Sequence, residues 1–369
     1  MRHYLGPLLC RTTVCVLALT SLRAAGGALA APAPPGAKAE RLAFTRRYRA
    51  TQHGGIVRAA NSAVGCRTAP GTAGRTAPAC EAVREGRAAV DGDFDMFYVD
   101  VDRDPNTCNS SRAEVRPFGG SRVTYARLYW GGNVRVGEQN PPKDNGRVLI
   151  AEPGGAYKAV LADTVTGRRV ARGADAFQAL ADVTRLVRES GAGLSTVAQV
   201  NVAMGRSEAG AWGGWTLVVA YENSQEPLRH LAVWDGSDPL DSGAGQEIRL
   251  RGVPVPRGAG GRAGLVAYDG DRGRSGDSIT FSTGSRGVSA LSEPVNPSDD
   301  VLNSTISEPG AAPAARVPAY ASTLGHDSDV FDLRAGLRRG GDQLAFRLVS
   351  QRDAAWAGVL FVAVDTRKQ

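Results

Sequence analysis

The sequence predicts an all-β protein with one short helix, arranged as a large jelly-roll-like β-sandwich or as two such sandwiches in tandem. Three observations carry this reading. Short runs of Val, Leu and Ala are punctuated by Gly, Pro, Asn and Asp, and 46 Gly and 20 Pro supply that punctuation. Within the runs apolar side chains alternate with period two, as in Arg122-Val-Thr-Tyr-Ala-Arg-Leu-Tyr-Trp130. No self-similarity with a period of about 20 to 50 residues is visible, which argues against solenoids and propellers. A chain of 369 residues, 42% hydrophobic and 22% charged, is long enough for one large core or two ordinary ones.

Residues 1–30 read as an export signal, with basic Arg2 and Arg11, an apolar stretch from Thr12 to Leu22, and the small-residue ending Ala28-Leu29-Ala30. The expected mature start is near Ala31. No run reaches the roughly 18 apolar residues of a membrane helix, so no membrane span is expected. Residues 31–41 open with Ala-Pro-Ala-Pro-Pro-Gly-Ala-Lys, a linker that can bury little, and the sandwich is assigned to 42–369.

Fourteen extended segments follow: 55–60, 94–101, 113–117, 122–130, 147–151, 157–163, 196–203, 215–221, 228–234, 247–253, 264–268, 277–281, 343–349 and 357–364. Trp215-Thr-Leu-Val-Val-Ala-Tyr221 and Gly358-Val-Leu-Phe-Val-Ala-Val364 are apolar on nearly every residue, the pattern of central strands covered on both faces. One segment reads as helix. From Asp175 to Arg188, Phe177, Leu180, Val183 or Thr184, and Val187 recur at helical spacing, with Asp175 as start and Gly191 as stop.

The formal charge is +7, and removal of Arg2, Arg11 and Arg23 with the leader would leave 7 − 3 = +4. The arginines are dispersed rather than gathered into a stripe with interleaved aromatics, so nucleic acid is not an expected partner. Outside the leader stand Cys66, Cys80 and Cys108, an odd number for an oxidising compartment. The favoured disulfide is Cys66–Cys80, which closes a Pro- and Gly-containing loop, with Cys108 left over. Pairings of either cysteine with Cys108 stay open.

Catalytic motifs are missing. His53, His230 and His326 form no H-E-x-x-H pair, and there is no C-x-x-C ligand set, G-x-S-x-G elbow, P-loop or dinucleotide fingerprint. The densest carboxylates are Asp91, Asp93 and Asp95, then Asp100, Asp102 and Asp104 followed by Asn106. In an extended chain the last four would present oxygens on one side, and calcium is the candidate cation. An EF-hand is rejected because Pro105 stands where that loop needs glycine and Ser111 where it needs glutamate. The plain alternative is an acidic turn whose side chains bond their own backbone. Two further acidic groups, Asp269/Asp271/Asp277 and Asp327/Asp329/Asp332, read as Gly-rich, Arg-neutralised turns. Of five tryptophans, Trp212 lies between Ala211 and Gly213 and is the candidate for exposed stacking on a sugar ring.

A series of phrases in fixed order then stands out: Asp95-Met-Phe-Tyr-Val-Asp-Val-Asp-Arg-Asp-Pro-Asn, Ala126-Arg-Leu-Tyr-Trp-Gly-Gly, Ala181-Asp-Val-Thr, Gly213-Gly-Trp-Thr-Leu-Val-Val-Ala-Tyr-Glu, Val233-Trp-Asp-Gly, Tyr268-Asp-Gly-Asp-Arg-Gly, Asn303-Ser-Thr-Ile-Ser and Thr323-Leu-Gly-His-Asp-Ser-Asp-Val-Phe. Together they resemble the N-terminal β module of large secreted bacterial surface proteins, which usually precedes immunoglobulin-like repeats. The resemblance spans Gly55 to Asp365. It implies an extracellular, adhesion-like module of unknown activity and offers no catalytic residues. Cys108 departs from the family phrase. The last residues, Asp365-Thr-Arg-Lys-Gln369, carry no repeat or sorting tail, so wall anchoring is not implied.

The functional expectation is a secreted, non-enzymatic β-sandwich that binds cell-wall or extracellular polysaccharide or surface proteins. The rival is a secreted carbohydrate-active hydrolase using paired aspartates.

Overall fold

The computed structural model describes residues 42–67, 78–116, 119–136, 144–171, 173–190, 193–240, 245–284, 287–310, 314–351 and 355–366. The predicted leader, the linker and the Gly191 helix stop lie outside them.

The chain runs through β1 (Leu42–Ser62), β2 (Val64–Cys66), helix α1 (Cys80–Arg84), β3 (Met96–Tyr98), β4 (Ser110–Val115), β5 (Arg122–Asn133), β6 (Arg147–Ala151), β7 (Lys158–Leu161), β8 (Thr164–Ala171), β9 (Ala174–Asp182), helix α2 (Thr184–Glu189) and β10 (Gly193–Ala198). It continues through β11 (Gly213–Glu222), β12 (Leu228–Pro239), β13 (Gln246–Val255), β14 (Gly261–Tyr268), β15 (Ser278–Ser282), β16 (Ser289–Ala290), β17 (Ile306–Ser307), β18 (Arg316–Val317), β19 (His326–Asp332), helix α3 (Arg334–Leu337), β20 (Gly341–Val349) and β21 (Trp356–Asp365). Each of the fourteen predicted strands overlaps an observed one.

The fold is an all-β sandwich. Its largest sheet has the order β17-β19-β14-β21-β12-β1-β11-β5-β9-β8. A five-stranded sheet, β18-β4-β10-β6-β7, and a four-stranded sheet, β13-β20-β15-β16, complete it, with β2-β3 as a separate pair. The long β1 joins the two halves of the large sheet. Its residues up to His53 pair with β12, and from Gly54 onward it pairs with β11. The hand-over needs glycine: Gly54 has φ +136°, and a Cβ there would lie 2.0 Å from the Tyr221 carbonyl oxygen.

Side-chain parity assigns the layers. On β11, Trp215, Leu217 and Val219 join Val148, Ile150 and Val197 in a cluster with the five-stranded sheet. On β21, Leu360, Val362 and Val364 join Ile248, Leu250, Phe281 and Phe346 of the four-stranded sheet. The opposite parities, Val218 and Ala220 of β11 with Val359 and Phe361 of β21, meet in a third cluster between the two halves of the large sheet. Four β layers therefore enclose three apolar interfaces: a first sandwich formed by the β11 half of the large sheet with the five-stranded sheet, a second formed by the β21 half with the four-stranded sheet, and the interface between the two halves. The predicted central strands β11 and β21 are buried on both faces.

The predicted helix over Asp175–Arg188 is corrected. Residues 174–182 form β9, paired with β5 and β8, and only Thr184–Glu189 is helical. Ala176, Ala179 and Ala181, set around Phe177 and Leu180, suit both periodicities, and burial on both faces selects the strand. Asp175 is buried within β9 rather than capping a helix, and its N–H donates to Asn133 Oδ1 at 3.0 Å.

The Cys66–Cys80 disulfide is present, with Cα atoms 5.8 Å apart. It anchors α1 against β2, both its cysteines lying in the first core cluster. Cys108 pairs with neither of these two cysteines.

Two stability outcomes follow from this framework. Replacing both Cys66 and Cys80 by Ser should cost about 3 kcal/mol, as loop closure over 14 residues implies, read as a lowered denaturant midpoint. Gly54→Ala should cost about 3 kcal/mol because it combines a disfavoured φ with a backbone clash, whereas Gly119→Ala, facing open space, should stay within about 0.5 kcal/mol.

Candidate functional site

The acidic segment 100–106 does not present its oxygens as an extended chain would. It bends through a turn at Pro105-Asn106, and its carboxylates bond the local chain. Asp102 Oδ1 accepts the Asp104 N–H at 2.8 Å and the Thr107 hydroxyl at 2.9 Å, and Asp104 Oδ1 accepts the Asn106 N–H at 2.9 Å. Asp100 Oδ1 accepts the Ser110 hydroxyl at 2.8 Å, and the Tyr157 hydroxyl donates to Asp102. Against the cost of partial burial, bonds from Tyr157, the Asp104 N–H and Thr107 hold Asp102 below the usual carboxylate range. Burial and the neighbouring Asp102 raise Asp100. The chain over Asp100, Asp102, Asp104 and Asn106 is therefore bent by Asx turns at Asp102 and Asp104 rather than extended. Among the described residues no three His, Cys, Asp or Glu side chains are grouped to hold a metal ion.

Trp212 is likewise corrected. It is fully buried, donates from its indole N–H to the Ala209 carbonyl at 3.0 Å, and stacks on Tyr268 with centroids 6.1 Å apart. Its glycine neighbours serve close packing rather than flexibility: Gly210 and Gly213 both hold positive φ so that the chain can pass close to Asp91 and Gly131. Trp130, Trp215, Trp234 and Trp356 are buried too, as core packing predicts.

Members of the other two acidic groups come together in the interior, where sequence separation hid them, while Asp332 stays nearer the surface, paired with Arg334. Asp327 and Asp329 on β19 hold the segment that leads into β17. Asp327 Oδ1 accepts the Thr305 N–H at 3.1 Å, and Asp329 Oδ1 accepts the Ser307 N–H at 2.9 Å and the Thr305 hydroxyl at 3.0 Å. Asn296 and Glu293 extend the network through Thr305 and Ser307. Asp271 Oδ1 accepts the Asp91 N–H at 3.0 Å, tying the first sandwich to the second. Burial raises Asp327 well above the ordinary range, with Asp329 adding to it. Burial likewise pushes Asp329 to about 6 and Glu293 to about 7. His326 beside them is fully buried and is depressed to about 3 by that burial, so it is neutral.

An accessible concavity lies elsewhere. A cleft of about 420 Å³ opens between the sheets of the first sandwich, within the size range of small-molecule sites. Its floor includes Val115, Ile150, Leu186 and Leu217, and its mouth carries Arg122, Arg188, Glu152 and Ser195. The charges at the mouth are already engaged. Arg188 donates to the Val123 and Thr124 carbonyls at 2.8 and 3.1 Å, Arg122 pairs with Glu222, and Lys158 pairs with Glu152 and holds it below its ordinary range. The cleft offers apolar contact and hydrogen bonding rather than acid–base chemistry. None of its residues was singled out from the sequence, since they come from five strands and α2 and share no motif.

Comparisons with known proteins give little. No family model matches the chain, and no curated protein matches it. Among solved structures, the STIV MCP is similar at 9% identity over 70% of this chain and 92% of that one, with a TM-score of 0.20. The structure of Sulfolobus Turreted Icosahedral Virus is similar at 9% identity over 69% and 86%, also with 0.20. The major capsid protein P2 from bacteriophage PM2 is similar at 11% identity over 85% and 99%, with 0.17. At such scores these likenesses carry no argument.

The raised carboxyls set a pH dependence. The folded state holds protons at Asp329 and Glu293 that the unfolded chain has released, so their contribution to stability falls as pH rises. The loss starts above the unfolded carboxyl range near 4 and is complete above about 7. Thermal melting between about pH 5 and pH 8 should show this decline, and Glu293→Gln should flatten it.

Proposed function

We propose that this protein is an exported, non-enzymatic extracellular β-sandwich that binds a surface component through the cleft of its first sandwich. The observation that carries the reading is a division of labour. Its clustered carboxylates serve the fold, while the cleft exposes an aliphatic floor with a neutralised rim. The burial of all five tryptophans removes the stacking platform expected for polysaccharide and favours a surface protein as partner. The Cys66–Cys80 disulfide is compatible with an oxidising compartment, and among the described residues no helix is long and apolar enough to cross a membrane.

The hydrolase alternative needs two carboxyls facing each other across a sugar. The cleft carries Glu152, held by Lys158. A shallower cavity beside β7 and α2 includes Asp182 and Glu189, the first accepting the Thr184 N–H and the second paired with Arg185. These engagements favour binding over hydrolysis.

Immobilised protein should retain surface proteins from washed cells at low and moderate salt. Ser195→Trp, which fills the cleft, should weaken retention by about tenfold, some 1.4 kcal/mol. Equal retention by this variant, or retention of nothing, overturns the cleft reading. N-terminal sequencing of protein recovered from the medium should begin near Ala31, and intact chain found solely inside cells overturns export.

A further inference from the structure

Arg58 of β1 and Arg316 of β18 line one small cavity with Ala60, Ala113, Ile306 and Glu308. Its volume is about 10 Å³, room for a single water-sized particle. Arg58 is only 6% exposed, and burial lowers its proton affinity despite three neighbouring acids. Burial and the nearby Arg58 also lower Arg316, to about 10. One N–H of each guanidinium bonds a carbonyl: Arg58 Nη2 donates to Ser307 at 2.6 Å and Arg316 Nη2 to Tyr320 at 2.5 Å. The buried Arg58 Nε and Arg316 Nη1 have no acceptor among the described residues. Two like charges with unanswered donors around one small space are costly unless something negative or polar answers them.

We infer that Arg58 and Arg316 hold a single halide-sized anion, chloride by class, in this cavity. Arginine N–H groups supply the donors, and Ala60, Ala113 and Ile306 supply apolar wall. Glu308 also lines the cavity and would repel an anion, but its carboxylate is committed to Arg262, whose Nη1 donates to Oε1 at 2.6 Å. Behind Arg58 stand Asp329 and Glu293, and farther along β19 stand Asp327 and His326. Asp327 and His326 are uncharged near neutrality, the first because burial raises it and the second because burial depresses it. At about pH 8 Asp329 and Glu293 are ionised and balance the arginines, whereas at about pH 5 both are protonated and the positive charge is in excess. The anion should therefore bind more tightly on the acid side.

The test is a crystal grown in sodium bromide, with diffraction recorded at the bromine absorption edge. An anomalous peak between Arg58 and Arg316 is expected, and water-like density without anomalous signal overturns the inference. In solution, replacing chloride by gluconate at constant ionic strength should lower the melting temperature, more at about pH 5 than at about pH 8. Arg316→Gln should abolish that difference, and the exposed Arg185→Gln should keep it. Equal melting in the two salts at about pH 5, or an unchanged chloride effect in Arg316→Gln, also overturns it. The wild-type bromide map decides the question should Arg316→Gln fail to fold.

Discussion

Burial of the large sheet on both faces is the constraint that organises this molecule. A strand packed between two other layers has no wet side, so β11 and β21 are apolar on both parities. Fully burying each Leu, Val or Phe there contributes about 1.5 to 3 kcal/mol. Polar groups caught in the same layer must find partners. Gln178 of β9 donates to the Gly236 and Gly358 carbonyls at 3.1 and 3.3 Å, across the central interface. Asp235 of β12 is raised by burial but accepts from Arg47 Nε at 2.6 Å and Tyr129 at 3.3 Å, so its charge is met from the first half of the sheet as well. Close packing also explains a glycine: at Gly264 the Phe361 ring lies where a side chain would begin, its Cζ 2.0 Å from an added Cβ.

Strands with clean alternation or continuous apolar character were legible in the sequence, because their pattern follows directly from the faces they cover. β9 was not, since Ala176, Ala179 and Ala181 are small enough to satisfy a helix and a strand alike. β19 was hidden for another reason. His326-Asp-Ser-Asp-Val-Phe-Asp332 reads as a polar turn, yet it is a buried strand whose carboxylates serve the segment before β17. Chemistry of that kind is invisible to a hydrophobicity pattern. The disulfide was legible from the composition of its loop. The cleft was not, because its walls are ordinary strand ends brought together by topology.

The acidic residues illustrate how function and framework compete for the same side chains. A carboxylate in an extended, exposed segment is available to a cation. Asp102 and Asp104 instead answer backbone N–H groups within two residues, and Asp327 and Asp329 answer those of a neighbouring segment. Each such bond satisfies a donor that would otherwise be costly to bury.

The passage of β1 from one half of the large sheet to the other has a structural corollary. Tandem sandwiches joined by a linker can be shuffled, duplicated or lost one at a time. Here either sandwich taken alone would forfeit half of a 21-residue strand and expose its neighbour's ladder, β11 in one case and β12 in the other. Cutting the chain between them would leave each half with an unpaired edge, so the two hold together as one folding unit.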